Sequence, residues 1–240
     1  MISLTEYTSY MPNINRYITT TKNKQIDSGK YSILILASIP YEKMSYGPPV
    51  SLYQINAAQK LIDVQLEAIS TCFPKSDIFM IAGHGISQII PYKPKNLRVI
   101  ENQKFEETGE VEELRLGLNS IVTESVITIS ANMIFNDITL NQVKTGHSSI
   151  LVSSKIEEDG SVGTIVNTKS RLTNMGFGIP NKWCYISHFT GKELDILLNF
   201  VNTRSKANLC MFEAINSVIN RHGLIYTVEH NNGLLKRIFK

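Results

Sequence analysis

The 240-residue sequence has only three cysteines, Cys72, Cys184 and Cys210, far apart and without a CxxC pair. That scarcity argues against a zinc site and a disulfide scaffold, and it fits a reducing, intracellular setting. Long apolar runs are missing too. None approaches the roughly 18 residues that would suggest a membrane-crossing helix, and the start MISLTEYTSYMPNINRY lacks the apolar centre of a signal peptide. Neither a membrane partner nor secretion by that route is expected. Charge is nearly balanced at +3, and no long Lys/Arg run alternates with aromatics, so no nucleic-acid partner is indicated. The five histidines, His84, His147, His188, His222 and His230, show no HExxH or paired spacing, and there is no G-x-S-x-G elbow. No metal ligand and no catalytic residue is assigned from them.

What is present suffices for one large α/β domain, since 42% of the residues are hydrophobic and 19% charged. Residues 1–30 stand apart as an N-terminal arm rich in Thr, Asn, Lys and Tyr, with scattered apolar positions such as Ile2, Leu4, Met11, Ile14 and Ile18. Such a stretch cannot build its own core, so it is either mobile or packed on another surface, a partner's or its own domain's. Residues 31–240 form the domain. Ser32–Ala37 has the length and β-branched content of a strand buried on both faces, and it delivers a polar loop at its carboxyl end. A helix is expected over 55–73, a strand over 78–82, a short helix after Gly83-His84-Gly85, a strand over 97–101, a helix over 110–122 and a strand over 125–130. Glu110, Glu112 and Glu113 fall in the first turn of that last helix, where its dipole favours negative charge. This alternation predicts a three-layer, mainly parallel sheet flanked by helices, with Leu34, Leu36, Ile62, Leu66, Met80 and Ile129 in the core.

The second half reads as extra β-hairpins and two helices. Strands are expected over 148–154, 161–167 and 171–177, with Glu158-Asp159-Gly160 turning a hairpin between the first two. Trp183, Tyr185 and Phe189 alternate as on a strand with a core or interface face. Thr190-Gly191-Lys192-Glu193 has the form of a capping box ahead of a helix, a further helix is expected over 208–221, and strands over 224–229 and 234–239 close the chain.

The stretch Leu36-Ala-Ser-Ile-Pro-Tyr-Glu-Lys-Met44 followed by Pro49-Val-Ser-Leu-Tyr-Gln-Ile-Asn-Ala57 resembles the opening of the sugar-1-phosphate nucleotidylyltransferases and the related MobA-like and phosphocholine cytidylyltransferase-like enzymes. Those enzymes begin L-A-A-G-x-G-[ST]-R-M and continue P-K-x-L-x-x-I-N-G. The resemblance runs collinearly over about residues 31–239, and it implies a nucleotide-diphospho-sugar transferase-like (GT-A-like) fold with a nucleotide pocket at Ala37, Ser38, Lys43, Gly83 and Asn132. It also shows departures. Ile39 and Tyr41 stand at the two glycine positions, Lys43 stands for Arg, Val50 for the Lys of P-K, and Asn132 for the first magnesium-binding Asp. The second metal-binding Asp falls on Phe239, within Arg237-Ile-Phe239.

Family chemistry needs backbone donors, cations and metal carboxylates around a triphosphate. Their joint loss implies a degenerate pocket with no cofactor, or magnesium if the chain is active; Asp137 or Glu42 would then have to supply a carboxylate. Three functions are compatible. The chain is a protein-interaction or assembly component working through its arm, in a virion or other large assembly; or a divergent nucleotidyltransferase acting on a sugar phosphate or phosphocholine; or a nucleotide or sugar-nucleotide sensor without turnover. The expected location is the cytoplasm or a virion.

Overall fold

The structure, a computed structural model, describes residues 31–38, 47–154 and 161–238. The arm 1–30, the loop residues Ile39, Tyr41, Glu42 and Lys43, the acidic turn 157–160 and Phe239 lie outside the described residues.

Strand β1 (Ser32–Ala37) is buried along its whole length. Its side chains alternate between two cores: Ile33, Ile35 and Ala37 pack on one face and Leu34 and Leu36 on the other. Such a strand must sit in the middle of a covered sheet, because both of its faces need apolar partners. It pairs in parallel with β2 (Asp77–Ala82) on one side and β4 (Ser125–Ser130) on the other, and β3 (Leu97–Glu101) extends the parallel set beyond β2. Beyond β4 comes β9 (Lys182–Thr190), antiparallel to it, then β6 (Ser149–Ser153) and β10 (Tyr226–Glu229). The sheet order β10-β6-β9-β4-β1-β2-β3 is therefore mostly parallel, with one reversed strand near its centre. Helices α1 (Leu61–Cys72) and α2 (Ile86–Tyr92) cover the first face; α3 (Glu110–Leu118), α5 (Gly191–Val201) and α6 (Met211–Asn220) cover the second. All six core positions expected from the sequence are buried.

Several boundaries differ from expectation for local reasons. Helix α1 starts at Leu61 because the Asn56 side chain accepts the N–H groups of Ala58 and Gln59, holding that stretch in a turn. The box at Thr190-Glu193 does not form. Thr190 Oγ1 donates to the Glu124 carbonyl at 3.0 Å, while Glu193 accepts the Leu224 N–H at 2.9 Å, so both side chains serve tertiary contacts. Strands β6 and β7 (Val162–Val166) do not make a hairpin with each other. β7 pairs instead with β8 (Leu172–Phe177), and the turn between them is closed by Asn167, whose side chain accepts from Lys169 and Arg171 N–H. Short elements after β4 also escaped sequence reading. β5 (Met133–Phe135) pairs with β11 (Leu235–Arg237), and α4 (Asp137–Asn141) is capped by the Asn136 side chain accepting Thr139 N–H.

Candidate functional site

Parallel strands all end on one edge of a sheet, and there the connections diverge and leave room for a ligand. Here β1, β2 and β4 deliver Ala37-Ser38, Gly83-His84 and Ala131-Asn132 to that edge. Three backbone bonds tie these exits together: Ala131 N–H to the Leu36 carbonyl at 2.9 Å, His84 N–H to Ser38 at 2.9 Å and Asn102 N–H to Ala82 at 2.8 Å. Of the five sequence-derived pocket residues, Ala37, Ser38, Gly83 and Asn132 are thus brought to one edge; Lys43 is not among the described residues.

Each is held by its neighbours. Gly83 lies so close to Phe105 that an added Cβ would come within 2.4 Å of the Phe105 Cβ. Asn132 is fully buried, and its Oδ1 accepts the Ser130 hydroxyl at 3.0 Å. The backbone around it is clamped by Gln65, buried in α1, whose Nε2 donates to the Met133 carbonyl at 2.8 Å, and by Ile238 N–H on the Asn132 carbonyl at 2.9 Å. Val50, in a 3₁₀ turn over Val50–Leu52, is 5% exposed and belongs to the core below the first face. A cation there would be buried in apolar surroundings. Asp137, weighed as a substitute metal carboxylate, sits instead against Cys72 at the far end of α1, where its carbonyl accepts the thiol at 3.2 Å. Among the described residues no group of three or more His, Cys, Asp or Glu could hold a metal ion. Magnesium prefers carboxylate and water oxygens in an open octahedron, and an enclosed amide already accepting a hydroxyl does not fit it.

Sequence reasoning missed the carboxyl groups that do reach this edge. Glu113 was assigned to the helix dipole, yet it is 2% exposed and its Oε2 accepts the Ser38 N–H at 3.1 Å. Burial pushes its carboxyl up to about 8, against the lowering effect of that N–H, and neighbouring Glu110 pushes the same way. Glu113 is therefore largely protonated at neutral pH. Half-buried Glu110, also raised by lost hydration, accepts Met211 N–H at 2.8 Å and feels the opposing charge of Arg237. The available signal was the helical register itself, since Glu113 falls beside Leu114 and one turn before Gly117 on the buried face of the helix, while Glu112 turns outward to Arg115.

Beside Glu110 opens a cleft of about 220 Å³ lined by Trp183, Tyr185, Phe177, Phe212 and Arg237. Tyr185 lies within β9, as the expected strand requires, but its φ is +54°, and the pairing of β9 with β6 shifts register between Ile150 and Val152. That bulge lays the Tyr185 ring 4.5 Å from Trp183, and the Arg237 guanidinium stacks over Tyr185 at 4.3 Å.

No protein-family model matches the chain, and no curated protein sequence matches it. Solved structures do. The CTP:phosphocholine cytidylyltransferase of Streptococcus pneumoniae superposes with a TM-score of 0.71 at 15% identity, over 87% of this chain and 93% of that one. The inositol-1-phosphate CTP transferase of T. maritima gives 0.71 at 15% identity over 89% and 90%. A nucleoside-diphosphate-sugar pyrophosphorylase of Vibrio cholerae RC9 gives 0.63 at 14% identity over 82% and 91%. At these identities the likeness is one of architecture, and it covers most of the stretch over which the sequence carries its resemblance. The chain has a nucleotidylyltransferase-like fold of the GT-A-like kind.

Proposed function

We propose that this chain keeps the nucleotidylyltransferase-like fold without metal-dependent nucleotidyl transfer and acts by associating with other proteins as a component of a larger assembly. The observation that carries the first half is Asn132. It occupies the position where the resemblance calls for a metal carboxylate, and its amide oxygen is enclosed and engaged by Ser130. Two neighbours support the same reading. The Ser38 N–H, which a phosphate cradle would present to an anion, already donates to Glu113, and the position of the family's lysine is a core valine. A triphosphate brings several negative charges, and an edge with these substitutions offers little to neutralise them.

The association half is supported by the β7–β8 hairpin. Ile165, Val166 and Phe177 are 47%, 37% and 64% exposed, and Phe177 packs edge-on against Phe212 at 5.3 Å. Exposed large apolar side chains on one hairpin are a usual mark of a protein contact.

The test is direct. Purified protein with magnesium, each nucleoside triphosphate, and sugar phosphates or phosphocholine is expected to release no pyrophosphate, and Asn132→Asp is expected not to restore release, because the missing groups act as a unit. Turnover by the unmodified chain overturns the reading. Calorimetric titration with nucleotides and sugar nucleotides separates it from a sensor, and the native mass of the complex formed in its source tests association.

A further inference from the structure

At the opposite, amino-terminal edge of the sheet, the connection from α3 to β4 and the first turns of α5 enclose a groove of about 530 Å³. Its walls are apolar, from Leu118, Ile121, Val122, Leu194 and Leu198, and Val122 is 55% exposed. Its rim carries Glu124 and Asp195, and no Lys or Arg lines it among the described residues. Thr123, also in the wall, donates its hydroxyl to Ser32 Oγ at 2.7 Å. The first residue of β1 is therefore at the mouth of the groove, and the arm joins the domain one residue earlier.

We infer that residues 1–30 of the same chain dock in this groove, with Ile26 as the apolar anchor and Lys22, Lys24 and Lys30 meeting Glu124 and Asp195. Connectivity supports it first: Ile26 precedes Tyr31 by five residues, which reach at most about 17 Å when extended, so Ile26 stays near the arm's root, where Ser32 bonds a wall residue of the groove. Tethering also gives the arm a high effective concentration at a site beside its own root. Charge supports it second. The arm holds Arg16, Lys22, Lys24 and Lys30 against Glu6 and Asp27, a net positive segment facing an acidic rim. The other hollow at this edge, about 310 Å³ beside Tyr31, Cys72 and Phe73, presents Lys75 and Lys144 and would repel it.

Amide hydrogen exchange of residues 20–30, followed by mass spectrometry on the full chain, tests this. The double variant Val122→Lys, Asp195→Lys changes two exposed side chains and should speed exchange in that segment about tenfold or more while leaving β1–β4 protected. Ile26→Asp, which lies outside the domain and cannot unfold its core, should do the same, and adding Lys22→Glu and Lys24→Glu to the groove variant should restore slow exchange. Equal exchange in the unmodified chain and in both variants overturns the inference. Protection that fades on dilution, together with a native mass of two chains, also overturns it and gives the groove to the arm of a second copy.

Discussion

Replacing Glu113 by Gln isolates the buried acid at the carboxyl edge. The amide oxygen of glutamine can still accept the Ser38 N–H, which Glu113 accepts at 3.1 Å, so shape and hydrogen bond are kept while ionisation is removed. In the native chain the carboxyl titrates near 8 instead of its ordinary 4.5. Between those values the folded state holds a proton that the unfolded state has released, so native stability is fully present below about pH 4.5 and falls as pH rises towards 8. One unit of such a shift is worth just over 1 kcal/mol, so the change from pH 5 to pH 7 is about 2–3 kcal/mol. For a chain of this size that is roughly 5–10 °C in melting temperature. Melting curves of Glu113→Gln and the unmodified chain at pH 5, 6, 7 and 8 should therefore diverge, the variant gaining relative stability with each step. Subtracting the two series cancels every titration they share. A constant difference, or a native chain that gains on the variant as pH rises, would refute the reasoning, because it would mean that the fold holds the ionised carboxylate.

Gly83→Ala should destabilise the domain by about 1–3 kcal/mol in urea unfolding, since its Cβ would press on the Phe105 side chain; the added change Phe105→Ala should recover little, having opened a void of its own. Val50→Lys, which places there the residue type that the resembled motif carries, should cost several kcal/mol of stability and yield no pyrophosphate release, because the position is buried among apolar side chains. Gln65→Leu should loosen the exit of β4, with faster amide exchange at Ala131–Met133, because three carbonyls there lose the Gln65 amide as donor.

The strands of the first half were legible because each is a short apolar run between turn residues, and burial on both faces writes that pattern directly into β1, β2 and β4. The order of strands was not. Nothing local in Lys182–Thr190 distinguishes a strand that inserts antiparallel between β4 and β6 from one at an edge; that depends on which long-range pairs win. The supposed β6–β7 hairpin failed for the same reason. Good turn chemistry sits between those strands, but the partner of each is chosen by the whole sheet. Ala37, Ser38, Gly83 and Asn132, singled out through the resemblance, come to one edge because each follows a strand that ends there. Glu113 could not be valued correctly from its dipole position alone, and Tyr185 gave no sign of its positive φ, which accompanies a bulge in its own strand: between the pairs Ile150–Ser187 and Val152–Trp183, β9 takes up extra residues that β6 does not match.

On the proposed reading, the three departures from the resembled motifs at the carboxyl edge differ in what holds them, and that decides how they can be reversed. Asn132 is fixed by Ser130 and by a backbone clamped from α1 and from the chain's last described residue, Ile238. The Ser38 N–H is engaged from α3, and Val50 is enclosed by the core under the opposite face. Supplying a carboxylate, releasing a donor and exposing a cation would thus require changes in three separate packing environments. Each change alone leaves the other two in place and adds its own desolvation penalty. A triphosphate site needs all three kinds of group at once, so single restorations should lower stability before they raise affinity for an anion.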